Sequence, residues 1–198
     1  MTNTILIGAG GHAKVICEIL EQTKYRLIGY AALDECDWLD LKRYDDNTPI
    51  ADATVEAFVM GIGGVNPYEL SRRLGVYHQW QERGVAPINV SHPTAVVSKT
   101  AQLNEGVCVL AGAVLQPGAS IGAATIINTR AIVEHDALVG DGVHIAPGAI
   151  VLAEAQIGAS AMISAQATIL PRAVVPPGTF VRAGELYPAS KTTVTKDA

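Results

Sequence analysis

From Val97 to Val181 every sixth residue is aliphatic, fifteen times in succession. The position two residues before each of these is small, most often alanine, as at Ala95, Ala101, Ala113 and Ala119. A strict six-residue period is the mark of a parallel β-helix, a solenoid of short strands. Three such strands per turn give 18 residues per coil, and positions 18 apart stack at roughly 4.8 Å. The aliphatic and small positions point inward and their immediate neighbours outward, and the next two residues turn the corner. Pro117-Gly118, Pro147-Gly148 and Pro177-Gly178 all fall at this corner register, as turn chemistry requires.

The first 90 residues lack this period and alternate apolar runs with helical patterns. Residues 4–7, 26–32, 57–62 and 85–88 read as strands. A helix follows Gly8-Ala9-Gly10-Gly11, with Ala13, Ile16, Cys17 and Leu20 on one face. A second opens on Asn66-Pro67 as N-cap and first turn and carries Leu70, Leu74 and Tyr77. This pattern predicts a small parallel α/β sheet of Rossmann-like type over residues 1–90, followed by the all-β solenoid over 91–198. Ser91-His92-Pro93 is expected to be the hinge, and the chain is expected to lose the period after Glu185 and fray over 191–198.

Composition narrows the function. A net charge of −5 disfavours nucleic acid as a partner. Cys17, Cys36 and Cys108 have no metal spacing, which predicts buried thiols in a reducing compartment and no bound metal. The longest apolar run, residues 107–115, is too short to span a bilayer, and no signal peptide is visible, so a cytoplasmic location without membrane insertion is expected.

The chemistry-bearing residues fall in two groups. The glycine turn at Gly10-Gly11-His12 can let a phosphate approach a helix N-terminus, where free N–H groups and the dipole favour negative charge. Asp34 and Glu35, after the second strand, are placed to meet a ribose or base. In the solenoid, His135 sits at a corner between Glu134 and Asp136, and a neighbouring carboxylate can orient an imidazole as a general base. Asn128 and His144 point outward on one flat face, one coil apart. A full side of the triangle, on the order of 15 Å, separates them from His135. If these groups act together, a second subunit must unite them, which predicts a cyclic oligomer, most simply a homotrimer with active sites between subunits.

The turn from Ile5 to Ile16, the hexapeptide array, and the segments Asn128-Thr129-Arg130-Ala131-Ile132-Val133-Glu134-His135-Asp136 and Gly142-Val143-His144-Ile145-Ala146-Pro147-Gly148 together resemble the bacterial sugar acetyltransferases. That family includes sialic acid O-acetyltransferases and nucleotide-sugar 4-N-acetyltransferases. The resemblance implies a left-handed coil, a homotrimer and acetyl-CoA as donor. It implies His135 as general base, Asp136 as its supporting carboxylate, Asn128 near the acceptor and His144 near the acetyl group. Gly10, Gly11 and His12 would hold the sugar nucleotide's phosphates, with Asp34, Glu35 and Gly63 completing its pocket. Ala165 and Ala183 would meet coenzyme A, and the Ala153 N–H would face the thioester oxygen.

The reaction expected is acetylation of the 4-amino group of a nucleotide-linked sugar in surface glycan biosynthesis, with UDP preferred and a GDP-perosamine type open. Sialic acid O-acetylation is the alternative within the family. A non-enzymatic scaffold would lack coenzyme A affinity. A three-histidine zinc site of carbonic anhydrase type would need a third histidine in the repeats, which hold only His135 and His144.

Overall fold

A computed structural model describes residues 1–44 and 54–188. The N-terminal unit is a five-stranded, wholly parallel sheet. Its elements run β1 (Thr2–Ile7), α1 (Gly11–Leu20), β2 (Tyr25–Ala31), β3 (Lys42–Tyr44), β4 (Ala57–Met60), α2 (Pro67–Glu82) and β5 (Ala86–Pro87). The order in space is β3-β2-β1-β4-β5. Ile5, Leu6 and Ile7 of β1 and all of β4 are buried, as a continuous apolar run predicts for a strand covered on both faces. The strand order reverses direction between β1 and β4, and in open α/β sheets that switch point is where ligands bind.

Each helix starts where its sequence dictates. The Asn66 side chain accepts a hydrogen bond from the Glu69 N–H at 3.0 Å, and Glu69 reaches back to the Val65 N–H at 2.9 Å. The Asn66 cap satisfies one of the N–H groups that a helix start leaves free, and Glu69 ties down the residue before the cap. α1 has no side-chain cap; Gly10 stands at its N-cap in extended conformation.

The rest of the chain is the left-handed parallel β-helix that the hexapeptide period predicts. Its strands are two residues long, one outward and one inward, and pair in register with strands 18 residues away, as Ile126 with His144 and Ile132 with Ile150. They form three flat sheets of six, six and five strands. Inside, the aliphatic column and the alanine column pack into one continuous core. The corners impose left-handed backbone on residues that ordinarily avoid it, including Arg130, Asp136 (φ 58°) and Glu154. Such a residue costs about 1–2 kcal/mol in isolation, and the coil stacking overrides it.

The structure departs from the sequence expectations at several places. β3 was not expected, since Lys42-Arg43-Tyr44 carries no apolar run. Ser91-His92-Pro93 is no free hinge: Val90–Ser91 is already the first coil strand, paired with Cys108–Val109, and the His92 N–H donates to the Val109 carbonyl at 2.8 Å. The period also outlasts the aliphatic series. Leu186–Tyr187 pairs with Thr168–Ile169, and Tyr187 packs where the next aliphatic residue would sit. Residues 191–198, expected to fray, lie outside the described residues.

The three flanks of the coil differ in what covers them. On the first, Cys108, Ile126, His144 and Met162 point outward from the coil and are buried beneath the N-terminal unit. On the second, Val96, Val114, Ile132, Ile150, Thr168 and Leu186 form an outward stripe that no other part of the described chain covers completely. The third carries Gln102, Ser120, Leu138, Gln156 and Val174.

Candidate active site

A cavity of about 980 Å³ opens at the carboxyl ends of β1, β2 and β4. Its floor is the glycine turn, where a side chain on Gly8 would collide with Ile62 at 2.5 Å. Gly10 and Gly11 have open space in front of them, so a ligand can approach the α1 N-terminus. The loop after β2 brings Asp34, Glu35 and Cys36 to one side, and Gly63, Val65 and Arg72 close another. The coil supplies the remaining wall through Leu110, Asn128, Thr129 and His144. Eight of the residues singled out from sequence thus share one cavity: Gly10, Gly11, His12, Asp34, Glu35, Gly63, Asn128 and His144.

His144 is only 7% exposed, because the loop between β4 and α2 covers it. Its Nδ1 lies 2.7 Å from the Gly64 carbonyl, and its Nε2 lies 2.9 Å from Asn128 Nδ2. A carbonyl can only accept, so Nδ1 carries the proton and Nε2 accepts from the Asn128 amide. Burial, opposed by the Gly64 bond and aided by the Arg73 charge, lowers its pKa and keeps the ring neutral. The Thr129 N–H donates to Asn128 Oδ1 at 2.7 Å, which fixes the amide's orientation.

Arg73 and Trp38 were not anticipated. Arg73 is 1% exposed and stitches the two units together: its Nε donates to the Ile62 carbonyl at 2.7 Å and its Nη1 to the Ala124 carbonyl. With desolvation as the larger cause, it helps to hold His12 neutral, with a pKa lowered to about 3. An arginine on an amphipathic helix reads as surface, and only the coil packed against α2 buries it. Trp38 lies in the loop after β2 and donates its indole N–H to the Ala9 carbonyl at 3.0 Å.

His135 stands apart, half exposed, at the corner between the second and third flanks. Its Nδ1 is 2.9 Å from Asp136 Oδ2. That bond raises its pKa; desolvation opposes it, and the charges of Asp136, Glu134 and Glu154 add to the rise. Ala153 stacks one coil above His135, and among the described residues its N–H donates to no backbone or side-chain acceptor. Ala165 and Ala183 stack on a different corner, where the Gly184 N–H donates to the Ala165 carbonyl at 2.9 Å. That corner column also holds Thr129, on the cavity wall. One chain therefore displays three parts: the cavity, the Ala165–Ala183 corner, and the His135–Asp136–Ala153 corner one flank further round.

Gly118 underlies the histidine's partner. A Cβ there would lie 2.3 Å from Asp136 Oδ1, at a left-handed φ of 75°. Gly118→Ala should cost about 1–2 kcal/mol through backbone strain. It should also push the carboxylate off His135 and lower the imidazole's pKa. Urea unfolding and an NMR titration of the His135 ring check the two effects; an unmoved titration would refute the link.

Residues 3–65 match the PglD N-terminal domain family. Among the curated proteins, none matches this chain. Among solved structures, PerB from Caulobacter crescentus in complex with CoA and GDP-perosamine is similar at 27% identity and a TM-score of 0.82, over 96% of this chain and 92% of that one. The acetyltransferase domain of PglB from Neisseria gonorrhoeae in complex with acetyl coenzyme A is similar at 25% identity and a TM-score of 0.70, over 94% of this chain and 98% of that one. WeeI from Acinetobacter baumannii shares the fold at 21% identity and a TM-score of 0.60, over 96% of this chain and 95% of that one. The small α/β unit seated on a hexapeptide coil is thus the fold this chain shares with solved acetyltransferases. Over nearly its whole length the chain is similar to these acetyltransferases, and residues 3–65 match the PglD N-terminal domain.

Proposed function

We propose that this chain transfers the acetyl group of acetyl-CoA to the 4-amino group of a sugar linked to a nucleoside diphosphate. The observation that carries this reading is the 980 Å³ cavity, which joins a glycine turn and an acidic loop of the N-terminal unit to Asn128 and His144 of the coil. The similar Caulobacter crescentus structure that holds CoA and GDP-perosamine supports it. In this reading residues 1–90 grip the nucleotide and residues 91–198 carry the transfer. Gly10, Gly11 and His12 hold the phosphates, Asp34 and Glu35 meet the ribose or base, and Gly63 lets the sugar pass toward Asn128. Coenzyme A runs along the Ala165–Ala183 corner with its thioester near His144.

The chemistry is direct attack. The sugar amine adds to the thioester carbonyl carbon, and His135 removes the proton the nitrogen sheds. The Ala153 N–H donates to the oxyanion, a kind of contact whose loss typically costs ~10²–10³ in rate. Collapse breaks the C–S bond, and the leaving thiolate takes the proton back from His135. Because His135 lies a flank away from the cavity in its own chain, a neighbouring protomer supplies it, in a homotrimer. The outward stripe of Val114, Ile132 and Ile150 beside the His135 corner, only partly covered within one chain, supports such self-association.

Among the described residues no helix is long and apolar enough to cross a membrane, and no cluster of candidate metal ligands occurs. A cytoplasmic, metal-free reaction remains part of the proposal. The UDP preference gains no support from the cavity, and the nucleotide named in the similar complexes is GDP.

A panel of UDP, GDP and CMP, each with and without coenzyme A, tests the reading. Ligands at a hundredfold over Kd should stabilise the fold by ~2.7 kcal/mol, seen as a rise in melting temperature. A shift with GDP alone would replace UDP as the preferred base. No shift with coenzyme A would favour a scaffold. Sedimentation should return three times the chain mass; a single-chain mass would remove the shared site.

A further inference from the structure

We propose that Trp38 is a positioning residue that aims the phosphate-binding turn and couples it to the acidic loop; this rests on the nucleotide-sugar reading of the cavity. The indole N–H holds the Ala9 carbonyl at 3.0 Å. A trans peptide is planar, so the C=O of Ala9 and the N–H of Gly10 point in opposite directions. The indole is not part of the cavity wall, whereas Gly10 and Gly11 are. Holding the carbonyl behind the turn therefore turns the Gly10 N–H to the front, beside the free N–H groups that open α1. Without the indole, this Ala9–Gly10 peptide can flip, because Gly10 tolerates the φ change, and present a carbonyl, which repels phosphate.

The same side chain is tied to the rest of the site. The Lys14 ammonium, on the first turn of α1, lies 5.4 Å from the centre of the Trp38 ring. The loop that carries Trp38 is held at its start by Arg43, which donates to the Ala32 carbonyl at 3.1 Å and to the Leu33 carbonyl. It is held further on by the Tyr30 hydroxyl, which accepts from the Cys36 N–H at 3.3 Å. Asp34 and Glu35 sit between these anchors. Contact of a base or ribose with the acidic loop and contact of phosphate with the turn are thereby joined through one indole, so a ligand bearing both parts binds better than either part predicts.

Trp38→Phe keeps the ring and its packing and removes only the N–H. With the full chain, affinity for inorganic pyrophosphate and for UDP or GDP should fall about tenfold or more, the worth of a charge-assisted hydrogen bond. The KM for the nucleotide sugar should rise by the same factor. Affinity for the free nucleosides, affinity for coenzyme A and kcat should stay within about twofold. In the wild type, pyrophosphate should shift the Gly10 amide resonance. Unchanged pyrophosphate affinity in Trp38→Phe, an equal loss of nucleoside affinity, or a silent Gly10 amide in the wild type would each overturn the proposal. Failure of the functional reading shows separately: the Gly10 amide would respond and the variant would weaken, yet no acetyl group would reach any nucleotide-linked amino sugar.

Discussion

Replacing His135 with alanine should lower kcat by about 10²–10⁴, the usual worth of a positioned general base, while leaving nucleotide and coenzyme A affinity nearly intact. The fold should tolerate the change, because the imidazole is half exposed and contacts chiefly Asp136 at 2.9 Å. The pH profile carries the sharper test. A base must be neutral to accept a proton, and the Asp136 bond raises the pKa of His135. The acidic limb of kcat/KM should therefore lie above the ordinary histidine value. Asp136→Asn removes the bond and the charge, so the limb should move down in pH while the maximal rate falls through lost orientation. Near-normal turnover by His135→Ala, or an acidic limb unmoved in Asp136→Asn, would remove His135 from the mechanism.

The coil was legible because its period is a local property. Each inward position depends only on the residue's place in a six-residue repeat, so Val133 or Ile145 could be assigned without knowing any long-range contact. Corners were legible for the same reason, and His135 with Asp136 falls where the register put them. What the sequence did not disclose depends on a second surface. His144 reads as outward, and it does leave the coil, but Gly64 of the other unit covers it. Cys108 is buried as expected, though beneath the other unit rather than inside its own coil, and burial pushes its thiol up to about 11. Arg73 follows polar helical positions and reads as solvent-facing until Ala124 is placed beside it. Trp38 sits in a segment without periodicity, where no pattern announces an indole reaching back 29 residues. Long-range burial of polar groups, rather than any weakness of the repeat, accounts for these gaps. Most of the cavity residues were legible because glycines after a strand and acids after the next strand are tied to chain positions in any parallel α/β sheet.

His144, which is buried, and His12, which is partly buried, should make the protein markedly acid-sensitive. In the folded chain His12 gives up its affinity for a proton until about pH 3, first through burial and then through the charges of Arg73 and His144. In the unfolded chain it takes a proton near pH 6.5. Between these values the unfolded state binds more protons, so stability is fully present above pH 6.5 and is lost as pH falls toward 3. The slope is about 1.4 kcal/mol per pH unit, so His12 alone removes about 2 kcal/mol at pH 5. His144, also lowered by burial, adds to the loss in the same direction. His135 acts with the opposite sign, since its raised pKa favours the folded state as pH falls, but its exposure leaves that contribution screened by solvent. Urea unfolding at pH 7.5 and pH 5 at fixed ionic strength measures the difference. His12→Gln should flatten the pH dependence by about the amount assigned to His12, and a variant that keeps the full wild-type slope would show that His12 titrates normally in the fold. The same protonation would place a second cation beside Arg73 at the junction of the two units, so the cavity should open before the coil itself unfolds.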